Sequence, residues 1–372
     1  MKSYFLPPPG GTVDVWTRLQ DETRPIVVWG MGNGADKLLR VFAERGITAA
    51  DFVASDGFVR GQSFHGRRVL SFAEMREKYV SPVLVMAFGT SRPEVLSCVA
   101  RTACEFPLLI PDLPVAGEGL FDTEYYRTHE EALRTVCDRL ADETSRSLYA
   151  ALVIGKLTGD YEVLADAWTD GAETAELLGV TKIKTYIDVG AYRGDTLAEL
   201  IGLGAPLTHA LCVEPDARNF LKLEQMAAGL APVSVTCVNA AAWDREGMGC
   251  FFGSGNRNAS LCNASFENRP ADTRLATIDA LAGGLIPDYI KYDTEGAEVP
   301  GLLGTALTIR RARPKLRVAA YHRTEDLIRL PQLLTELCSD YSLYLRRKRC
   351  LPAWETDIIA LPEGGMKIHE TT

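Results

Sequence analysis

The chain lacks a long apolar run. No stretch approaches the roughly 18 apolar residues of a membrane span, so none is expected. The opening MKSYFLPPPGG has no apolar core of signal-peptide length, and no secretory leader is expected. Cysteines are present but unpaired by pattern. There are nine, an odd number, with no C-x-x-C pair. Cys212 and Cys237 sit inside apolar strand-like runs. This speaks against a disulfide framework or a cysteine-rich zinc site and for small buried side chains in a reducing compartment, with the cytoplasm as the expected address. Excess positive charge is lacking too. The formal net charge is −9, whereas nucleic acid and anionic membrane surfaces require clustered positive charge, so neither is an expected partner. The one basic run, RRKR at Arg346 to Arg349, reads as a solvated face at a strand end. There is no repeat of solenoid length and no low-complexity block beyond Pro7 to Gly11.

What is present is an ordinary globular composition. Of 372 residues, 47% are apolar and 24% charged, enough for sizeable cores and about two domains with a linker. Strand and helix patterns alternate over residues 1–113, which predicts a small Rossmann-like α/β domain. Residues 114–182 lack strand signals and read as a helical connector between two α/β layers. Residues 183–372 are strand-rich again. The candidate strands are TYIDVG, HALCVEP, VSVTCVNAAAW, DYIKYDTEG, LRVAAYH, SLYLRR and ETDIIALP. Helices are expected at Asp195 to Ile201, Asn219 to Ala228 and Val299 to Arg310. The last two strands are close enough for a hairpin, which predicts a mostly parallel seven-stranded sheet with an antiparallel edge. That is the sheet of class I methyltransferases.

Two glycine loops compete for a cofactor. VVWGMGNGA, Val27 to Ala35, matches G-x-G-x-x-A after a strand, and Asp56 follows 26 residues after Gly30. By pattern this is a dinucleotide site, although such a match alone is a frequent false positive. No residues for hydride transfer accompany it, and a non-catalytic or substrate-recognition module is the favoured reading. The other loop is YIDVGAYRGDT, Tyr186 to Thr196. Its Gly-x-x-x-Gly spacing makes a poor pyrophosphate cradle, and Asp188 ahead of the turn would repel phosphate. It suits a cationic or zwitterionic ligand, such as the sulfonium and amino groups of S-adenosylmethionine. In an open parallel sheet such a loop lies at the ligand-binding end.

Other acids follow at strand ends. Glu214 in CVEPD comes 24 residues after Gly190, where an acid can accept ribose hydroxyls. In IKYDTEGAEV, Asp293, Glu295 and Glu298 crowd together, and mutual repulsion favours a role in cation binding, hydrogen bonding or proton transfer. Glu298 alone is explained by the start of a helix. His322 in AAYHR closes the next strand, beside Asp293 by strand order, with Tyr321 expected to face the core.

Taken together, DVGAYRGDT, VEPD, NAAAWD, IKYDTEGAE, YHR and ETDIIALP resemble the FkbM family of S-adenosylmethionine-dependent methyltransferases. LADETSRSLYAALVIGKLTGDYE resembles the helical stretch that precedes this domain in many members. The resemblance spans roughly Leu140 to Pro362. It implies a class I fold, S-adenosylmethionine as donor and O-methylation of a sugar, polyketide or other small molecule. On this chain Asp188, Gly190, Ala191, Tyr192, Gly194, Asp195 and Thr196 would shape the methionine side of the pocket. Glu214 and Pro215 would hold the ribose, and Asn239, Ala240 and Ala241 would border the adenine. His322 would be the general base, with Asp293 positioning donor or acceptor. A divalent metal on Asp293 and Glu295, with His322 as a further ligand, is the weaker option and is not expected. The loop Gly253 to Pro270 is the candidate lid for the small-molecule acceptor. A homo-oligomer stays open. The rival readings are an NAD-binding oxidoreductase or nucleotide-sugar-modifying enzyme using the Gly30 loop, and a non-catalytic scaffold.

Overall fold

The computed structural model describes residues 2–7, 11–252 and 270–363. All of the candidate lid, Gly253 to Pro270, except its last residue lies outside them. The first part carries a four-stranded parallel sheet. Its strands are β1 (Ile26–Trp29), β2 (Asp51–Val53), β5 (Val83–Met86) and β6 (Leu108–Leu109), in the order β2-β1-β5-β6. A short hairpin, β3 (Ser63–Phe64) and β4 (Arg67–Arg68), lies between β2 and β5 in sequence. β1, β2 and β5 are buried along their whole length, as expected for parallel strands covered on both faces.

The connector is a run of helices, Thr123–Arg139, Glu143–Thr158, Tyr161–Asp166 and Gly171–Leu178. Each follows an aspartate, Asp122, Asp142, Asp160 and Asp170, whose side chain accepts from a backbone N–H of the first turn. These caps satisfy donors that a helix start leaves open. Gly159 and Gly179 end the second and fourth helices in the left-handed region, where a side chain is costly.

The third part holds the seven-stranded sheet. Its members are β7 (Thr185–Val189), β8 (His209–Val213), β9 (Ser234–Val238), β13 (Tyr289–Tyr292), β14 (Lys315–Ala319), β15 (Tyr341–Arg347) and β16 (Thr356–Pro362). The order is β15-β16-β14-β13-β7-β8-β9. All seven candidate strands enter this sheet. The expected antiparallel edge is the pair β15–β16, and the reversed strand is β16, which lies between β14 and β15 and is antiparallel to both. The hairpin therefore folds inward, and the edge strand β15 runs with the parallel set. The run VSVTCVNAAAW also divides. Its end, β10 (Ala241–Ala242), joins a separate sheet with β11 (Gly247–Phe252) and β12 (Pro270–Ala276). The helix expected at Val299 to Arg310 is two, Glu298–Leu303 and Ala306–Ala312, parted at Gly304.

One apolar cluster joins the three parts, from Val27 and Trp29 through Leu148 and Leu152 to Val189, Ile290 and Ile358. The first and third parts each carry a further cluster of their own, around Val28 and Phe42 and around Tyr186 and Leu197. The basic run is a correction. Arg346 and Arg347 are buried, and only Lys348 and Arg349 face outward. Arg346 pairs with Asp142, and Arg347 donates to backbone carbonyls of Leu164, Ala167, Cys350 and Pro352. Neighbours on a strand point to opposite faces; both cations are buried because connector residues meet each of them, Asp142 at Arg346 and the Leu164 and Ala167 carbonyls at Arg347. Cys98, Cys104, Cys137, Cys212, Cys237, Cys338 and Cys350 are free thiols. Among the described residues no helix is long and apolar enough to cross a membrane.

Candidate active site

A cavity of about 290 Å³ opens at the carboxyl ends of β7, β8, β13 and β14. Its floor is the turn after β7. Gly190 (φ 80°), Tyr192 (φ 52°) and Gly194 (φ 86°) all sit in the left-handed region. The Gly190 and Ala191 N–H groups both donate to the Val213 carbonyl, at 2.9 and 3.0 Å. A Cβ on Gly190 would lie 1.9 Å from the Asp293 carbonyl oxygen, so the turn is pressed against the end of β13.

Glu214, at the tip of β8, faces this turn. Tyr192 N–H donates to its Oε2 at 2.8 Å, and Asp216 N–H donates to its Oε1 at 2.9 Å. Its side chain lines the cavity but is only 6% exposed. Burial pushes its carboxyl up to about 8, although the two backbone donors pull the other way. Asn239 lies behind it. Its amide donates to the Glu214 and Pro215 carbonyls, which fixes the loop that carries the acid.

Asp188 is not on the cavity wall. It is fully buried beneath the turn, in register with Lys291 on the neighbouring strand. Lys291 Nζ is 3.6 Å from Asp188 Oδ1 and 3.4 Å from Asp293 Oδ2. Burial raises Asp188 to about 6 against the pull of Lys291. Burial opposes the lysine charge as well, yet Asp188 and Asp293 hold its pKa above the ordinary value. The acid expected to attract a cationic donor thus already has a cation of the protein. The lysine within IKYD gave no signal of this, because only strand order brings it beside residue 188.

The largest correction concerns His322 and Tyr321, whose directions are reversed. Tyr321 lines the cavity, with its hydroxyl 3.4 Å from Asp293 Oδ1. His322 turns inward and is completely buried. Its Nδ1 is 2.9 Å from Glu298 Oε1. Its Nε2 is 3.5 Å from Asp293 Oδ1 and 3.6 Å from Glu295 Oε2. Burial works against a charge on the ring, but Glu298, Glu295 and Asp293 outweigh it and push its pKa up to about 10. A ring protonated at neutral pH cannot serve as a general base. Burial would raise Asp293 and Glu298 in turn; Lys291 and His322 lower the first and His322 the second, so both fall below the carboxylate range. Glu298 also accepts from the Thr294 N–H at 2.8 Å, so the acid at the helix start is internal and not solvated.

Of the residues expected at the site, Gly190, Tyr192, Asp195, Thr196, Glu214, Pro215, Ala240, Ala241, Asp293 and Glu295 line the cavity. Asp188, Ala191, Gly194, Asn239 and His322 support it from behind. Several lining groups were not foreseen. Arg317 and Asp357 form an ion pair at 2.6 Å on one wall, and Lys348 reaches Glu199 at 3.0 Å at another. Ser91 comes from the segment after β5, so the first part of the chain contributes to the wall. That segment is pinned by Thr90, which exchanges backbone hydrogen bonds with Leu351 at 2.7 and 2.9 Å.

With this geometry in view, the comparisons are decisive for the domain. Residues 188–342 match the family model described as the methyltransferase FkbM domain. This part of the chain is an FkbM methyltransferase domain. The chain is similar in fold to the methyltransferase FkbM from Methylobacillus flagellatus KT, with 20% identity and a TM-score of 0.66, over 91% of this chain and 90% of that one. Weaker likenesses, at TM-scores of 0.35 and 0.33, are to an rRNA methylase from Streptococcus thermophilus and precorrin-6y C5,15-methyltransferase from Geobacter metallireducens GS-15. They have 8% and 12% identity, cover 52% and 55% of this chain, and cover 97% and 89% of theirs. No curated protein matches. The FkbM domain contains the whole described floor of the cavity, while Ser91, Lys348, Glu355 and Asp357 lie outside it.

The Gly30 loop is built differently. Gly30 (φ 128°) and Gly32 (φ 85°) carry the chain from β1 into the helix Asn33–Arg45. A Cβ on Gly34 would lie 2.2 Å from the Ala87 carbonyl oxygen, so this glycine permits close packing of helix against strand. Asp56 is exposed in a one-turn helix beyond the end of β2. Lys37, on the helix the loop opens, donates to the Pro114 and Val115 carbonyls at 2.9 Å each. The loop therefore docks the first part against the connector.

Proposed function

We propose that this chain transfers a methyl group from S-adenosylmethionine to a hydroxyl oxygen of a small-molecule acceptor. The observation that carries the reading is Glu214. It is a buried acid held by two backbone N–H groups, on the wall of a cavity whose floor is the Gly190 turn. Each oxygen keeps acceptor capacity for one ribose hydroxyl, the role an acid has at this place in a doubly wound sheet. Tyr192, Asp195 and Thr196 then border the methionine side, and Ala240 and Ala241 the adenine. The donor passes over the Asp188–Lys291 pair without touching Asp188.

Methyl transfer is an in-line displacement. The acceptor oxygen bonds to carbon as the carbon–sulfur pair returns to sulfur, and one hydroxyl proton must leave. His322, buried behind the wall with Nδ1 held by Glu298, is not its acceptor, and the proton passes to solvent; Lys291 holds the carboxylate of Asp293 in place. The acceptor side is polar, with Ser91, Tyr321, Arg317, Lys348 and Glu355 on its walls. Such a lining suits a molecule with several hydroxyl groups.

Calorimetry with S-adenosylmethionine and with NAD tests the donor. Micromolar binding of the first and none of the second is expected. Binding of NAD alone would sink the reading and favour an oxidoreductase. Donor binding without a gain of methyl mass on any member of a sugar and polyketide panel would favour a scaffold.

A further inference from the structure

We infer that Asp293, Glu295 and the Nε2 atom of His322 form a binding site for a divalent transition-metal cation on the cavity wall. One oxygen from each acid and Nε2 lie within 4.8 Å of one another. The separations from Nε2, 3.5 and 3.6 Å, are too long for good hydrogen bonds. They are close to the spacing of about 3 Å between neighbouring ligands of an octahedral ion bonded at about 2.1 Å. Nε2 has no hydrogen-bond partner although His322 is completely buried. A buried ring nitrogen without a partner is uncommon and asks for an explanation.

The other side of the ring supplies one. Glu298 holds Nδ1 at 2.9 Å and itself accepts from the Thr294 N–H. A carboxylate behind a histidine fixes the proton on the rear nitrogen, aims the front lone pair and strengthens it as a ligand. The charge balance points the same way. Asp188, Asp293, Glu295 and Glu298 face Lys291 and His322 within this cluster. A dication replacing the histidine proton leaves the cluster nearer neutrality. Lys291 contacts the other oxygen of Asp293, Oδ2, and leaves Oδ1 to the site, where the Tyr321 hydroxyl uses one of its lone pairs.

Two carboxylates and one imidazole suit manganese or iron better than magnesium or calcium, which favour oxygen alone. Asp293 and Glu295 line the cavity while His322 lies behind them, so the open coordination positions face the cavity. Those positions would take a hydroxyl of the acceptor. This last assignment rests on the proposed methyl transfer; the metal site itself does not.

The test uses the full chain, stripped with a chelator, dialysed and titrated with manganese chloride alone. Electron paramagnetic resonance counts free manganese, and its pulsed form detects a coordinated imidazole nitrogen. One bound manganese per chain with a nitrogen signature is expected. Glu295→Gln changes a partly exposed residue, and its circular dichroism should match the parent. It should weaken manganese binding at least about tenfold. His322→Gln, if it folds, should abolish the nitrogen signal. No stoichiometric manganese in the parent chain, or equal affinity in Glu295→Gln, would overturn the site. Because neither donor nor acceptor is present, manganese binding in a chain that fails to bind S-adenosylmethionine would retain this site and remove only the proposed function.

Discussion

The two glycine loops solve the same packing problem. Each follows a buried strand, opens a helix and lets a neighbouring strand come close. At Gly34 the neighbour is the Ala87 carbonyl, and at Gly190 it is the Asp293 carbonyl. The difference lies at the tip of the next strand. Asp56 is exposed in a turn past β2, whereas Glu214 is buried and takes the Tyr192 N–H of the loop itself. Glycines therefore report how tightly a helix packs on a sheet. The acid, and whether it is held toward the loop, reports a ligand. A fingerprint match measures the first property and is commonly read as the second.

The comparison is broken or sharpened most strongly by filling both loops. Gly190→Ala places a Cβ 1.9 Å from backbone at φ 80°. Left-handed strain and overpacking together should cost ~4 kcal/mol and remove donor binding. Gly34→Ala meets backbone at 2.2 Å without that strain. It should cost ~2 kcal/mol and leave donor affinity within about twofold. Denaturant melts and calorimetry read both. Equal loss of donor binding in the two variants would place the donor, or its support, at the first loop.

A second contrast is between neighbours. His322→Ala strands Glu298 as a buried carboxylate and should cost ~3 kcal/mol. Tyr321→Phe removes one long hydrogen bond at a half-buried position and should cost less than ~1 kcal/mol, while slowing turnover. If instead His322→Ala unfolds no more easily than the parent, the ring is not the counter-charge described here.

Much of the third part was legible from sequence. Largely apolar runs, each followed by glycine or an acid, identify β7, β8 and β13. The resemblance then supplies their order. What was not legible is what depends on facing across strands. Asp188 reads as a free acid because Lys291 lies 103 residues away. Tyr321 and His322 lie beyond the end of β14, where strict alternation gives no fixed starting parity. RRKR reads as surface because four cations in a row look solvated. That the connector covers β15, with Asp142 and Glu173 in reach of Arg346 and the Leu164 and Ala167 carbonyls in reach of Arg347, is a tertiary fact. Ser91 could not be foreseen, since nothing in its own segment marks it as part of a wall 100 residues further along the chain.

The next contrast tests the acids. Glu214→Gln keeps shape but loses the charge and one acceptor oxygen. Donor affinity should fall about tenfold to a hundredfold, corresponding to ~2 kcal/mol for a charge-assisted bond. Asp56→Ala should leave donor affinity unchanged and abolish no nucleotide binding. A loss of donor affinity in Asp56→Ala would reverse the assignment of the loops.

The smallest effect is a pH dependence. The Glu214 carboxyl has an ordinary value of 4.5 and is raised to about 8 in the folded chain. Between these values the folded state keeps a proton that the unfolded state releases. Stability from this group is therefore lost as pH rises through that window. Asp188, raised to about 6, acts in the same direction over a narrower range. Glu214→Gln cannot release the proton. Between pH 5 and 8.5 its stability relative to the parent should improve by on the order of 2 kcal/mol, read from denaturant melts without donor. Saturating donor should shrink this gain, because ribose hydroxyls stabilise the ionised carboxylate that burial alone disfavours. A parallel pH profile for parent and Glu214→Gln would mean that the acid is already ionised, and that the backbone donors outweigh its burial before any ligand arrives.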